Sequence, residues 1–507
     1  MTGLRFGASL ALWALLLPAQ ELTEAERKVS EFTLPNGMHF ILMERHQVPV
    51  VSFHTYVNSG SAQDPAGRTG IAHLVERLAF QGTESIGSAN WASESKTLDE
   101  VEAAYDRLEA ERNKGLNANQ GRMASLEIDL GKGIVAAKTL ADPAQYRRAI
   151  EENGGVGLTS HTTPDSMETS YSLPSNRIEL WFLMESQRLT HPVFRDFYLE
   201  RDAMLAENRN TVDARSLPKL QQALLATAFA AHPYRNPPLG WPGDIANLRR
   251  NDAKAFFDTY CVPGNIVMGI VGDVNPANAR RLAERYFGAI PAKPLPPVIH
   301  TGEPPQLGPK TVVLVSHGQP ILLVGYKRPS QTNRDDVALD VIREILAEGQ
   351  AGWLHKELVE TRRIAQQTDA TATFPAGRDA SLFVYTVVPA QNHTVEENQK
   401  ALDNLLARLQ AAPVDAATLE RAKNGMRARL IRTMGSNQRL AALLPAMYAG
   451  YGDWRKLFTY TAELSRVTAD GLQRVAAQYF TSAQRTVAYI EDGAEPAAPP
   501  SAPGAAQ

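Results

Sequence analysis

Cysteine is all but absent from this chain. The single thiol, Cys261, excludes an intramolecular disulfide, so 507 residues must be held together by their cores. An excess of one charge sign is also missing. The 52 Lys and Arg against 55 Asp and Glu leave a net charge of -3, which gives no support for a nucleic-acid or anionic-membrane partner. Beyond residue 20 no apolar run is long enough to span a bilayer. What remains is an ordinary globular balance, 44% hydrophobic and 21% charged, at a length that implies two to four domains. Cys261 follows Phe256, Phe257 and Tyr260 at an expected helix end and reads as a buried structural thiol.

The start of the chain carries an address. Arg5 precedes an apolar run at residues 8–17, and Pro18, Ala19 and Gln20 follow it. A basic start, a short apolar stretch and a small-residue exit read as a secretory signal peptide over 1–20. The expected location is therefore exported, periplasmic or extracellular.

The rest reads as an α+β protein. Apolar strands at 31–34 and 38–43 flank Pro35, Asn36 and Gly37, a hairpin signal, and a valine-rich strand follows at 50–57. Between 88 and 145 the apolar residues Leu98, Val101, Tyr105 and Leu108, then Met123, Leu126, Leu130 and Ile134, recur at helical spacing amid many charges. This predicts an inserted helical hairpin. A segment at 154–162 that begins loop-like and becomes extended, a strand at 167–173, helices at 178–189, 197–209 and 217–229, and a buried-type strand at 266–273 with a helix after it complete a first domain, 28–290. Residues 291–309 are rich in proline and form the clearest linker. A second domain, 310–491, repeats the same kind of plan without obvious residue identity. The tail, 492–507, is mostly Ala, Pro, Gly and Glu and is expected to be disordered.

Residues 70–83 carry the chemistry. His73, Glu76 and Arg77 are three and four apart, so they share one face of a helix. With a histidine at 77 this would be the inverted zinc motif H-x-x-E-H. A guanidinium stays protonated and has no lone pair for a metal. Further on, Glu200 and Glu207 are seven apart and share a face of the 197–209 helix.

Taken together, His73 to Glu76 with Phe80 to Thr83, Gly154-Gly155 before an extended segment, Glu200 to Glu207, His232 to Tyr234 with Gly240-Trp241, and Asn265 to Val274 resemble the pitrilysin/insulinase family of zinc metallopeptidases. The resemblance is to bacterial members of mitochondrial-processing-peptidase type, and it covers nearly all of the chain after residue 20. It implies two homologous peptidase-family domains, each a mixed sheet with packed helices, in a clamshell with the hairpin inserted in the first. By the same resemblance Glu76 corresponds to the general base, His73 and Glu207 to zinc ligands, and Glu200 to a supporting carboxylate. Thr159, Ser160 and His161 lie where the substrate cleft would run. The departures are Arg77 at the remaining zinc histidine, Val359 and Gln366 where active members place an arginine and a tyrosine, and Thr159 to His161 in place of Asn-Ala-aromatic.

The expected function is thus an exported, catalytically degenerate subunit or peptide-binding partner of an active zinc peptidase. Zinc would be absent or weakly bound, and Arg77 would pair with Glu207 or Glu76 in its place. The expected partners are a related peptidase subunit, in a homo- or hetero-oligomer, and extended peptides. Two alternatives stand beside it. One is an active zinc endopeptidase with a modified site, for which His161 is the one candidate substitute ligand. The other is a structural scaffold.

Overall fold

The computed structural model describes residues 23–316 and 318–492. The signal peptide expected over 1–20 and residues 493–507 of the tail lie outside the described residues.

The first sheet contains β1 (Val29–Thr33), β2 (His39–Glu44), β3 (Val50–Val57), β4 (Val156–Thr162), β5 (Met167–Pro174) and β6 (Ile266–Gly272), in the order β1-β2-β6-β3-β5-β4. Its neighbours are antiparallel except β2 and β6. The second contains β7 (Lys310–Ser316), β8 (Leu322–Arg328), β9 (Ala365–Phe374), β10 (Ser381–Pro389) and β11 (Arg485–Asp492), in the order β7-β11-β8-β10-β9. Here only β7 and β11 run parallel. Remove β1 and the two orders match strand for strand, with the parallel pair at the same place. β9 has no counterpart in the sequence reading, because its residues, Ala-Gln-Gln-Thr-Asp-Ala-Thr-Ala-Thr-Phe, lack a sustained apolar alternation. It is an edge strand and only two of its ten residues are buried, so little in its composition marks it.

The helices of the first half are α1 (Ile71–Arg77), α2 (Trp91–Arg112), α3 (Gln120–Thr139), α4 (Gln145–Glu152), α5 (Ile178–Thr190), α6 (Phe197–Asn208), α7 (Ser216–Ala228), α8 (Pro242–Ala246), α9 (Arg250–Tyr260) and α10 (Pro276–Phe287). Those of the second are α11 (Asp336–Ala347), α12 (Val395–Ala411), α13 (Ala416–Met434), α14 (Asn437–Tyr451), α15 (Lys456–Arg466) and α16 (Ala469–Tyr479). The expected hairpin insertion is α2 packed on α3. Between α11 and β9 the chain makes a wide π-type turn, His355–Thr361.

The chain forms two compact units that are not contiguous in sequence. Residues 208–235 belong with the second sheet, and residues 425–465 belong with the first. This differs from the expected division into 28–290 and 310–491. The cause is apolar burial. Leu220, Leu224 and Leu225 of α7 are buried, and α7 packs on β7, β8 and β11. Leu440, Ala441 and Leu444 of α14 bury against Ile41, Tyr56, Val267 and Val271 of the first sheet. Gly269 of β6 permits this approach, since a Cβ there would lie 2.0 Å from the Ala441 carbonyl oxygen. On its opposite face the first sheet buries Phe40, Leu42, Phe53 and Tyr171 with Trp181, Phe182 and Phe287.

Candidate functional site: a metal-motif helix closed by an arginine

α1 follows β3 and is only seven residues long. Ile71, Ala72, Leu74 and Val75 are buried, which turns His73 and Arg77 toward the opposite face. The helix begins at Gly70, whose φ of 92° belongs to the left-handed region. A Cβ at Gly70 would meet the Leu239 carbonyl oxygen at 2.7 Å, and one at Gly240 would meet the Thr69 carbonyl oxygen at 2.4 Å. The Asp64 carboxylate accepts hydrogen bonds from Gly70 N at 2.6 Å and Ala72 N at 3.0 Å, pinning the first turn. Burial pushes the Asp64 carboxyl up to about 8 against the pull of those two N–H groups, and Asp244 adds to the rise. Asp64 was not singled out in the sequence; its distance of six residues from the helix start matches no capping pattern.

Arg77 is the hub. Its Nε and Nη2 donate to Glu200 Oε2 at 3.1 and 3.0 Å, and its Nη1 donates to Glu207 Oε2 at 2.7 Å. Gln81 Nε2 donates to the other Glu200 oxygen at 3.1 Å. The pairing with Glu207 is the expected one, but the two-donor contact falls on Glu200, and Glu76 takes no part. All three charged side chains are partly exposed, at 28% for Arg77, 24% for Glu200 and 36% for Glu207.

Glu76 faces inward and is buried. Its Oε2 accepts from Thr162 Oγ1 at 3.4 Å, and Ser160 also hydrogen-bonds to it. Burial raises the Glu76 carboxyl, while these two hydroxyls, His161 and Arg77 work against the rise. His73 Nδ1 stands 3.6 Å from Glu76 Oε2, beyond a hydrogen bond, and His73 Nε2 is buried without a hydrogen-bond partner. Burial first, then the charges of Arg77 and His161, push the imidazole down to about 4. At neutral pH it is uncharged.

β4 has period two, and Ser160 and Thr162 both reach Glu76. His161 between them therefore belongs to the other face of the strand. It is paired across β5 with Glu168, while Thr159 Oγ1 meets Ser170 Oγ at 2.9 Å. The charge of His161 nevertheless acts on both His73 and Glu76. Val359 lies in the 355–361 turn, and Gln366 on β9 pairs with the Gln319 amide.

The residues present do not fit a catalytic zinc, which needs three protein ligands and an open position. Arg77 has no lone pair, and it binds the carboxylate that would be the third ligand. Among the described residues no three His, Cys, Asp or Glu side chains are gathered as a metal site.

Two sheets on one strand plan, with a helix bearing His-x-x-Glu after the third strand and a diacidic helix against it, define a peptidase-type α+β architecture. Residues 40–107 match the family model described as Insulinase (Peptidase family M16), and residues 247–426 match the one described as Peptidase M16 inactive domain. The chain belongs to this pitrilysin/insulinase family. It is 25% identical over 472 residues to the zinc protease PqqE of Helicobacter pylori, covering 92% of this chain and 93% of that one. A crystal structure of a protease from Helicobacter pylori shares the fold with a TM-score of 0.77 at 23% identity, over 92% of this chain and 99% of the other. The periplasmic protease PqqL from Escherichia coli shares it with a TM-score of 0.67 at 14% identity, over 93% of this chain and 49% of that one.

Proposed function

We propose that this chain is a catalytically degenerate member of the family, acting outside the cytoplasm as a peptide-binding subunit alongside a related zinc peptidase. The observation that carries this reading is Arg77, whose guanidinium stands in the second-histidine position and is held by Glu200 and Glu207. A fixed positive charge there balances two carboxylates that in a zinc enzyme would face a dication. Without a metal, Glu76 has no water of lowered pKa to deprotonate.

Peptide binding is supported by β4. It is an edge strand of the first sheet, at the end opposite β1, with Val156 64% exposed, and it offers a backbone edge to which an extended peptide could add as a further strand. Export is supported by Arg5 with the apolar run at 8–17. The periplasmic neighbour is in line with it. Pairing with a related subunit gives a chain lacking a complete ligand set a role in which hydrolysis is done elsewhere.

The test is metal content and turnover in the purified protein and in Arg77→His. The expected result is sub-stoichiometric zinc and no cleavage of an unstructured peptide by the natural chain, together with saturable binding of that peptide. Stoichiometric zinc with cleavage by the natural chain overturns the reading.

A further inference from the structure

The Pro-rich segment 291–309 has no helix or strand, yet one of its side chains is among the best-held groups in the second unit. Glu303 has a side chain only 5% exposed. Its Oε1 accepts from Ala230 N at 2.8 Å, and its Oε2 accepts from Ala231 N and His232 N, both at 3.0 Å. Lys327 Nζ stands 3.2 Å from Oε1 and 3.8 Å above the Phe229 ring. Each carboxylate oxygen therefore has two donors, three of them successive backbone N–H groups.

The cradle is braced by contacts that do not involve Glu303. α7 ends at Ala228, with Phe229 capping it, and Lys310 Nζ donates to the Thr227 and Ala228 carbonyls, satisfying two acceptors of the helix end. His232 Nδ1 accepts from Tyr234 N at 3.2 Å, and its Nε2 lies 3.4 Å from Asp379, so the 230–234 bend is fixed by side chains other than Glu303. Consecutive N–H groups aimed at one point, next to a half-desolvated ammonium, form an anion-binding concavity. The backbone and Lys327 hold the carboxyl well down, at about 2, although burial works in the opposite direction.

We propose that the N–H groups of Ala230, Ala231 and His232 together with Lys327 form a carboxylate receptor, which Glu303 fills in cis to fasten the Pro-rich strap, and which accepts a free carboxylate when Glu303 is withdrawn. The ligand class follows from the geometry. The donors are two per oxygen, matching a planar bidentate anion, and the one charged donor matches a single negative charge.

The experiment is amide hydrogen exchange of the full chain across 229–234, in the natural protein, in Glu303→Ala and in Glu303→Ala combined with Lys327→Met, with sodium acetate titrated against sodium chloride at equal ionic strength. Withdrawing Glu303 is expected to speed exchange of the three amides about tenfold or more. Acetate should restore protection in a saturable way in the single variant, chloride should not, and the double variant should not respond to acetate. Glu303→Gln, which keeps the shape, should show intermediate protection and serves if Glu303→Ala does not fold. Unchanged exchange in both Glu303 variants, or equal restoration by acetate and chloride, overturns the proposal.

Discussion

Two places in this molecule hold carboxylates against a cation, and they do it in opposite ways. At α1, Arg77 is gripped by Glu200 and Glu207, side chain to side chain, in a partly exposed setting. At the end of α7, Glu303 is gripped by three backbone N–H groups and one lysine, almost wholly buried. The first arrangement can be rewritten by changing one residue, and position 77 is where this chain departs from its family's motif. The second is built largely from main chain, so substitutions at Ala230 or Ala231 would leave its donors in place. Side chains allow a site to change chemistry, whereas backbone donors keep a joint fixed.

The largest effect should come from emptying the backbone cradle. Glu303→Ala leaves Lys327 buried without its carboxylate and orphans three N–H groups, and should cost about 3 kcal/mol in denaturant unfolding. The pH dependence has a defined sign. The carboxyl drops from 4.5 to about 2 on folding, so its stabilisation is full above pH 4.5 and is lost as pH falls toward 2. Glu303→Gln should flatten the acid limb of a stability curve in that window.

The Arg77 pairing should be weaker. Arg77→Leu removes the guanidinium that Glu200 and Glu207 both hold, and should lower stability by about 1–2 kcal/mol, partly offset by solvent screening. Raised salt should reduce this difference, whereas the Glu303 difference should resist salt. Equal salt sensitivity in melts of the two variants would erase the distinction.

His73 gives a purely titrational signature that is absent at neutral pH. The folded imidazole lies at about 4 and the free one at 6.5, so the unfolded chain takes up this proton first as pH falls. Stability should therefore decline between pH 6.5 and 4, and His73→Gln should remove that part of the slope. Smallest of all, Thr162→Val deletes one long hydrogen bond to Glu76 and should cost under about 1 kcal/mol. It should nevertheless raise the Glu76 carboxyl further, which NMR titration reads directly.

The same contrast explains what was readable in advance. His73, Glu76, Arg77, Glu200 and Glu207 are chemically distinctive side chains at helical spacings, so their helices and shared faces follow from pattern alone. The strands at 50–57 and 266–272 declare themselves through runs of Val, Ile and Met. The cradle at 230–232 has no such signal, because Ala-Ala-His gives no hint that three N–H groups converge, and Glu303 lies some seventy residues away. The sharing of Arg77 by two glutamates turns on rotamers, which spacing does not fix. β9 hides because an edge strand can be polar. The placement of α7 and α14 hides for another reason. Amphipathic helices announce that they will cover a sheet, but not which one.

That last feature bears on how the molecule can be taken apart. The strap at 291–309 looks like a natural cutting point, yet a fragment ending there would keep α7, whose leucines have their sheet in the missing half. It would also lose α14 and leave Ile41, Tyr56, Val267 and Val271 uncovered. A nick in the strap should leave a molecule that stays together, while either half made alone should be sticky and poorly soluble. Mixing the halves should restore order to both, because each carries the missing lid of the other.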